Sequence, residues 1–159
     1  MSRAFASVSR PTAPLPEGLI DIQSYTGEGY RPLVDYASWR VAVLRAIDEL
    51  RPERLDTMQR HDETDEVFVL LAGRCILFLG TGDTRVESIH AVDMEPFKLY
   101  TVKRGVWHTH TLSEDATVLI VENCDTHDGN SPRCPLDAAQ RAELVLLTHQ
   151  LWHTSQTAK

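Results

Sequence analysis

The sequence predicts an all-β domain closed by one C-terminal helix, and three observations carry that reading. From residue 55 to residue 123, short apolar runs recur at regular spacing with turn residues between them, the rhythm of a sandwich or barrel of strands. After Pro135 the alternation gives way to helical spacing. A chain of 159 residues suits one domain with a core of its own.

The elements follow in order. Residues 1–18 read as a flexible N-terminal arm, because Pro11, Pro14 and Pro16 exclude a helix and the composition is rich in Ser, Pro and Ala. The β-barrel is expected over 19–136 and the helix with its tail over 137–159. LIDIQ, 19–23, reads as a short strand, and YTGEGYRP, 25–32, as a turn-rich loop. In SWRVAVLRAIDEL, 38–50, Trp39, Val41 and Val43 alternate, while Trp39, Val43, Ile47 and Leu50 fit a helical stripe. The β-branched and aromatic residues of its first half favour a strand over 39–46. LDTMQRH alternates. EVFVLLA, 66–72, reads as a buried strand stopped by Gly73, and RCILFLG follows at once, so 66–72 and 74–79 are expected to pair around a tight turn. GTGD, 80–83, is a hairpin turn. RVESIHAV, FKLYTVK, VWHTHTL and TVLIVE are further strands, parted by VDMEP, KRG and LSEDA. LDAAQRAELVLLTHQLW then forms one helix behind Asp137 as N-cap, packed on the barrel or on a second subunit.

Composition removes several classes of function. A net charge of −7 lacks the positive field that holds phosphate backbones, so nucleic acid is excluded as a partner. The longest apolar runs, VFVLLA and VLIV, are too short to span a bilayer, which excludes a membrane role. The first residues contain no apolar core of a signal peptide. Cys75, Cys124 and Cys134 are odd in number and show no CxxC spacing, which argues against a disulfide framework or zinc knuckle and fits a reducing cytoplasm. A Cys124–Cys134 bridge is the one pairing to weigh.

Two short stretches carry the chemistry. The first runs from Gln59 through His61 and Glu66 to Gly73; the second is Lys103-Arg104-Gly105-Val106-Trp107-His108. In a continuous strand His61 and Glu66 would face opposite ways, so a turn or bulge is expected within DETD, residues 62–65, which are turn formers. Asp62, Glu63 and Asp65 read as the solvated part of that turn, and Arg60 should point away from any pocket. His108 and His110 share a face. Trp107 reads as packing at the barrel rim and Cys75 as core. Lys98 or Tyr100 could meet an anionic ligand if their strand faced the pocket. The polar loop 122–133 either caps a barrel mouth or only leads to the helix.

These stretches, over about residues 55–125, resemble the two motifs of the cupin superfamily, His-x-His followed by Glu and Gly, then Pro-x-Gly-x-x-His. Gln59 stands where the family has its first histidine, and Lys103 where it often has proline. The resemblance implies a double-stranded β-helix, or jelly-roll, barrel holding a divalent metal ion on His61, Glu66 and His108. Two imidazoles and one carboxylate with open positions suit Fe, and Mn, Ni or Zn would be tolerated. Gln59 would be a weak fourth ligand or would bind a metal-bound water, and His110 a deeper ligand or a base. The implied function is a metal-dependent enzyme (an isomerase, lyase or dioxygenase) acting on a small polar substrate such as a sugar derivative or oxyacid. A non-catalytic small-ligand-binding cupin, with or without metal, is the alternative, and a partner protein acting through its C-terminal helix is the third reading. The resemblance also leads one to expect a homodimer.

Overall fold

A computed structural model describes residues 17–154. Ten strands appear in chain order: β1 Gly29–Tyr36, β2 Trp39–Arg45, β3 Thr57–Gln59, β4 Glu66–Ala72, β5 Cys75–Thr81, β6 Ser88–Asp93, β7 Leu99–Val102, β8 Trp107–Leu112, β9 Thr117–Asn123 and β10 Arg133–Pro135. Two single 3-10 turns, Asp48–Leu50 and Pro52–Arg54, lie between β2 and β3, and α1 spans Ala138–Thr154. The strands form two five-stranded antiparallel sheets, β1-β2-β9-β4-β7 and β10-β3-β8-β5-β6. The all-β jelly-roll with a C-terminal helix is therefore the architecture the sequence leads one to expect. The arm expected over 1–18 lies outside the described residues except for its last two positions, and so does the tail from 155 on.

Alternation along the strands builds two cores. Phe68, Leu70, Leu77, Leu112, Val118 and Ile120 point between the sheets. Met58, Ile76, Phe78, Trp107 and Cys134 point out of the second sheet and are covered by Leu144, Leu147, Leu151 and Trp152 of α1. The helix thus packs on the barrel. Its start is a reciprocal cap: Gln140 N–H donates to Asp137 Oδ1 at 2.8 Å, and Asp137 N–H donates to Gln140 Oε1 at 3.0 Å. Cys75 is fully buried, as expected, and all three cysteines are free, so no Cys124–Cys134 bridge forms. No helix among the described residues is long and apolar enough to cross a membrane.

Three expectations need correction. LIDIQ is not a strand: Leu19, Ile20 and Ile22 are exposed and unpaired in any ladder, since a short alternating run makes a strand only where a neighbour meets it. The first strand instead begins inside the expected loop. Its Pro32 is tolerated because β1 is an edge strand and the register shifts between Pro32 and Val34. Finally, 66–72 and 74–79 do not pair, because β4 and β5 belong to different sheets. Gly73, at φ +69°, is the corner between them, and a Cβ there would lie 2.5 Å from the Ala116 Cα.

Candidate metal centre and its cavity

The turn foreseen between His61 and Glu66 is present at Asp62 and Glu63. It is stapled to the second motif from both ends. Gly105 N–H donates to the His61 carbonyl at 2.8 Å, and Asp65 takes the Arg104 N–H and the Lys103 ammonium, each at 2.8 Å. Gly105 needs its freedom, with φ at +77°. Arg60 points outward, over the Trp107 ring at 4.7 Å and toward Asp62 and Asp83. With Arg60 outward, Gln59 and His61 line the cavity, and β3 sets Gln59 opposite His108.

His61, Glu66 and His108 are buried and converge, with one ligand atom of each lying within 4.8 Å of the others. Glu66 Oε2 is 3.1 Å from His61 Nε2 and 2.9 Å from His108 Nε2. The far side of each ring tells which nitrogen carries a proton. His108 Nδ1 is 2.9 Å from the Val106 carbonyl, which only accepts, so Nδ1 holds the hydrogen. For His61 the chain is longer. Asn130 Oδ1 accepts the His127 N–H while its Nδ2 donates to the Asp125 carbonyl, which fixes the amide. Ser131 Oγ donates to that Oδ1 at 3.2 Å, which leaves it to accept His61 Nδ1–H at 2.8 Å. Two neutral imidazoles would therefore aim both Nε2 lone pairs at a carboxylate. Such a set closes only around positive charge, a proton or a metal ion.

The electrostatics agree. Burial works against charge on Glu66, but when each ring carries a second proton, hydrogen bonds from His108 and His61 outweigh it and hold the carboxyl down at about 2. Burial likewise opposes a proton on His61, and the bond to Glu66 wins, raising its affinity for one. The donor set fits a divalent ion: ligand atoms ~2.1 Å from one ion and at right angles stand ~3 Å apart, close to the two separations observed.

The cavity around this cluster measures about 820 Å³. Its walls include residues 47–50 and 54–57, together with Thr126, His127, Asp128 and Ser131 of the 122–133 loop, so that loop contributes to the cavity as well as leading to the helix. His110 lies on the wall too, its Nδ1 buried without a partner, and burial pulls its affinity for a proton down to about 4, so it is a neutral imidazole. Tyr100 and Lys98 are not part of the cavity; the Tyr100 hydroxyl accepts the Glu95 N–H and Lys98 pairs with Glu95. Trp107 lies in the core beneath the helix rather than at the rim.

Sequence reasoning missed Tyr30, Arg40 and Glu122, which form a second polar group on the wall. The Tyr30 hydroxyl donates to Glu122 Oε1, and Arg40 is held bidentately by Asp35 at 2.8 and 3.1 Å. Burial raises the Glu122 carboxyl, with the nearby Glu66 charge adding to the rise and the Tyr30 bond opposing it. A signal existed: Glu122 alternates with Ile120 and Val118, and Arg40 with Ala42 and Leu44, so both are charges at inward positions.

No protein-family model matches the sequence, and no curated protein does. Solved structures do. A phenylalanine-for-tyrosine variant of Streptomyces PAC13 with uridine is 13% identical, covering 78% of this chain and 98% of that one with a TM-score of 0.50. A cupin-2 domain protein from Shewanella frigidimarina is 15% identical over 62% of this chain and 84% of its own, with a TM-score of 0.46. An asparagine-for-histidine mutant of the 3,4-ketoisomerase QdtA from Thermoanaerobacterium thermosaccharolyticum, in complex with TDP-4-keto-6-deoxyglucose, is 13% identical over 65% of this chain and 83% of its own, with a TM-score of 0.48. At such identities the likeness speaks for the fold alone.

Proposed function

Taking the chain as a protein of the cupin fold, we propose that it is a metal-dependent enzyme for a small polar substrate, with His61, Glu66 and His108 as the ligands. The observation that supports this is the proton inventory: both Nδ1 atoms are committed to acceptors, so in their neutral form both rings bring Nε2 lone pairs to Glu66 with no donor between them. A bound divalent ion would supply a Lewis acid to a substrate carbonyl or hydroxyl oxygen, and Fe, Mn, Ni or Zn suits this donor set. Ser131 and the Val106 carbonyl hold the rings in place. Gln59, opposite His108, is placed to bind a metal-bound water or to give its amide oxygen as a fourth ligand. Neutral His110 orients substrate or takes a proton from it. Isomerase, lyase and dioxygenase chemistry all use such a site, on sugar derivatives or oxyacids. PAC13 is seen with uridine in this fold, which supports a small-molecule occupant.

The second reading is a metal-free cupin that binds a small ligand without turning it over. It is favoured by the 2.9 and 3.1 Å contacts, which also suit protonated rings. Metal content of protein purified without chelator or tag separates the two. Near one equivalent in the wild type, lost in His108→Ala, supports the enzyme reading, and no metal in either after reconstitution supports the second. For the expected homodimer, the outer face of the first sheet offers half-buried Val41, Val67, Val69, Leu119 and Val121. A mass of one chain by light scattering would remove that part of the proposal.

A further inference from the structure

The cavity has a second polar wall whose chemistry differs from that of the imidazole cluster. The register sets Arg40 opposite Glu122, and Val121 opposite Val67. Continued by one residue, the latter brings Glu66 alongside Glu122, so Arg40, Glu122 and Glu66 form one row across the inner face of the first sheet. Glu122 is 8% exposed. Its Oε1 accepts from Tyr30, and its Oε2 has no protein partner among the described residues. That oxygen opens onto the cavity, where it is an acceptor within reach of a donor group on a ligand. An anionic group is repelled there by Glu122 and Glu66 together. An ammonium carries donors alone and can take nothing from Arg40, which Asp35 holds on the same wall with two bonds. A neutral hydroxyl can donate to Glu122 and accept from Arg40 without either drawback.

We propose that Glu122, oriented by Tyr30 and flanked by Arg40, is a second ligand-binding subsite that takes a hydroxyl group of a polyhydroxylated chain, as found in sugars and sugar acids. The ligand's chelating oxygens would then lie at the His61–Glu66–His108 end and its hydroxyl-bearing segment at Glu122. This rests on the reading of the cavity as a small-molecule site and narrows the substrate class from small polar molecules to polyols. Glu122 contributes by accepting a hydrogen bond, and Tyr30 and Arg40 by positioning it.

The test uses zinc-loaded wild type, Glu122→Gln and Tyr30→Phe. Binding of D-gluconate, D-xylose and hexanoate is followed by calorimetry and ligand-observed NMR, with zinc content measured in parallel. The expected result is binding of gluconate and xylose, with hexanoate (a chain of equal length without hydroxyls) at least about tenfold weaker than gluconate. Glu122→Gln should lower polyol affinity about tenfold and Tyr30→Phe several-fold, with zinc content unchanged in both. Equal binding of gluconate and hexanoate, no binding of either polyol, or unaltered polyol affinity in Glu122→Gln overturns the proposal. Should Glu122→Gln fail to fold, Tyr30→Phe and the wild-type preference decide. Polyol binding that depends on Glu122 in a protein holding no zinc would refute the metal reading and leave this subsite standing.

Discussion

The space between the two sheets has a wet end and a dry end, and the same strands build both. Along β4 the inward residues run Glu66, Phe68, Leu70; along β9 they run Glu122, Ile120, Val118; along β8 they run His108, His110, Leu112. Two residues of travel turn a polar wall into a packed core. The dry end fixes the distance between sheets, and the wet end inherits that distance as a cavity. Core packing and the polar cluster therefore draw on different residues of the same strands, with Phe68 at the boundary, its ring centroid 6.2 Å from that of His108 and 5.8 Å from that of His110.

The largest effect is expected at the dry end. Phe68 is fully buried, and Phe68→Ala should cost about 3–5 kcal/mol in urea unfolding. A loss below about 1 kcal/mol would mean that the sheets are not held apart by this core. At the wet end the apo protein should gain stability from metal. Free zinc at 100 times its dissociation constant should add about 2.7 kcal/mol to the wild type and nothing to His108→Ala. An equal gain in both would place zinc elsewhere.

Smaller effects sharpen the comparison from outside the inter-sheet space. Asp137→Ala removes one half of the reciprocal helix cap and should cost about 1 kcal/mol without changing zinc content. If zinc is lost as well, the helix and the wet end are coupled. Last, Cys75 at the dry end has its thiol pushed up to about 12 by burial, with Asp93 adding to it. Because the folded thiol holds its proton more tightly than the unfolded one, its contribution to stability is intact below pH ~9 and declines as pH rises above that. A thiol reagent at pH 9 should therefore modify half-buried Cys124 and spare Cys75 until the protein unfolds. Native labelling of Cys75 would show that the dry end admits solvent.

Much of this contrast was legible in the sequence. From Thr57 onward the strands announce themselves, because inward apolar residues alternate with outward ones and turn residues separate the runs. His61, Glu66 and His108 were legible because a turn-forming DETD and a Gly-x-x-His fit one site. β1 was hidden by Gly29 and Pro32, which read as a loop yet suit a bulged edge. The separation of β4 from β5 was hidden because a tight turn looks the same in sequence whether the chain folds back or crosses to the facing sheet. The Tyr30–Glu122–Arg40 group was hidden for a third reason. Its members lie on three strands and meet only through the β1-β2-β9 order, which no local spacing encodes.

The central claim is that the imidazoles of His61 and His108 present Nε2 lone pairs to one cation beside Glu66. Long-range ¹H–¹⁵N NMR of the histidine rings, during a zinc titration of the apo protein, tests it directly. The account predicts that in both rings Nδ1 keeps its proton, bound to Ser131 in one case and to the Val106 carbonyl in the other, while Nε2 moves to the shift of a coordinated nitrogen at one equivalent. Rings that stay unchanged on adding zinc, or that respond at Nδ1 instead, would contradict it.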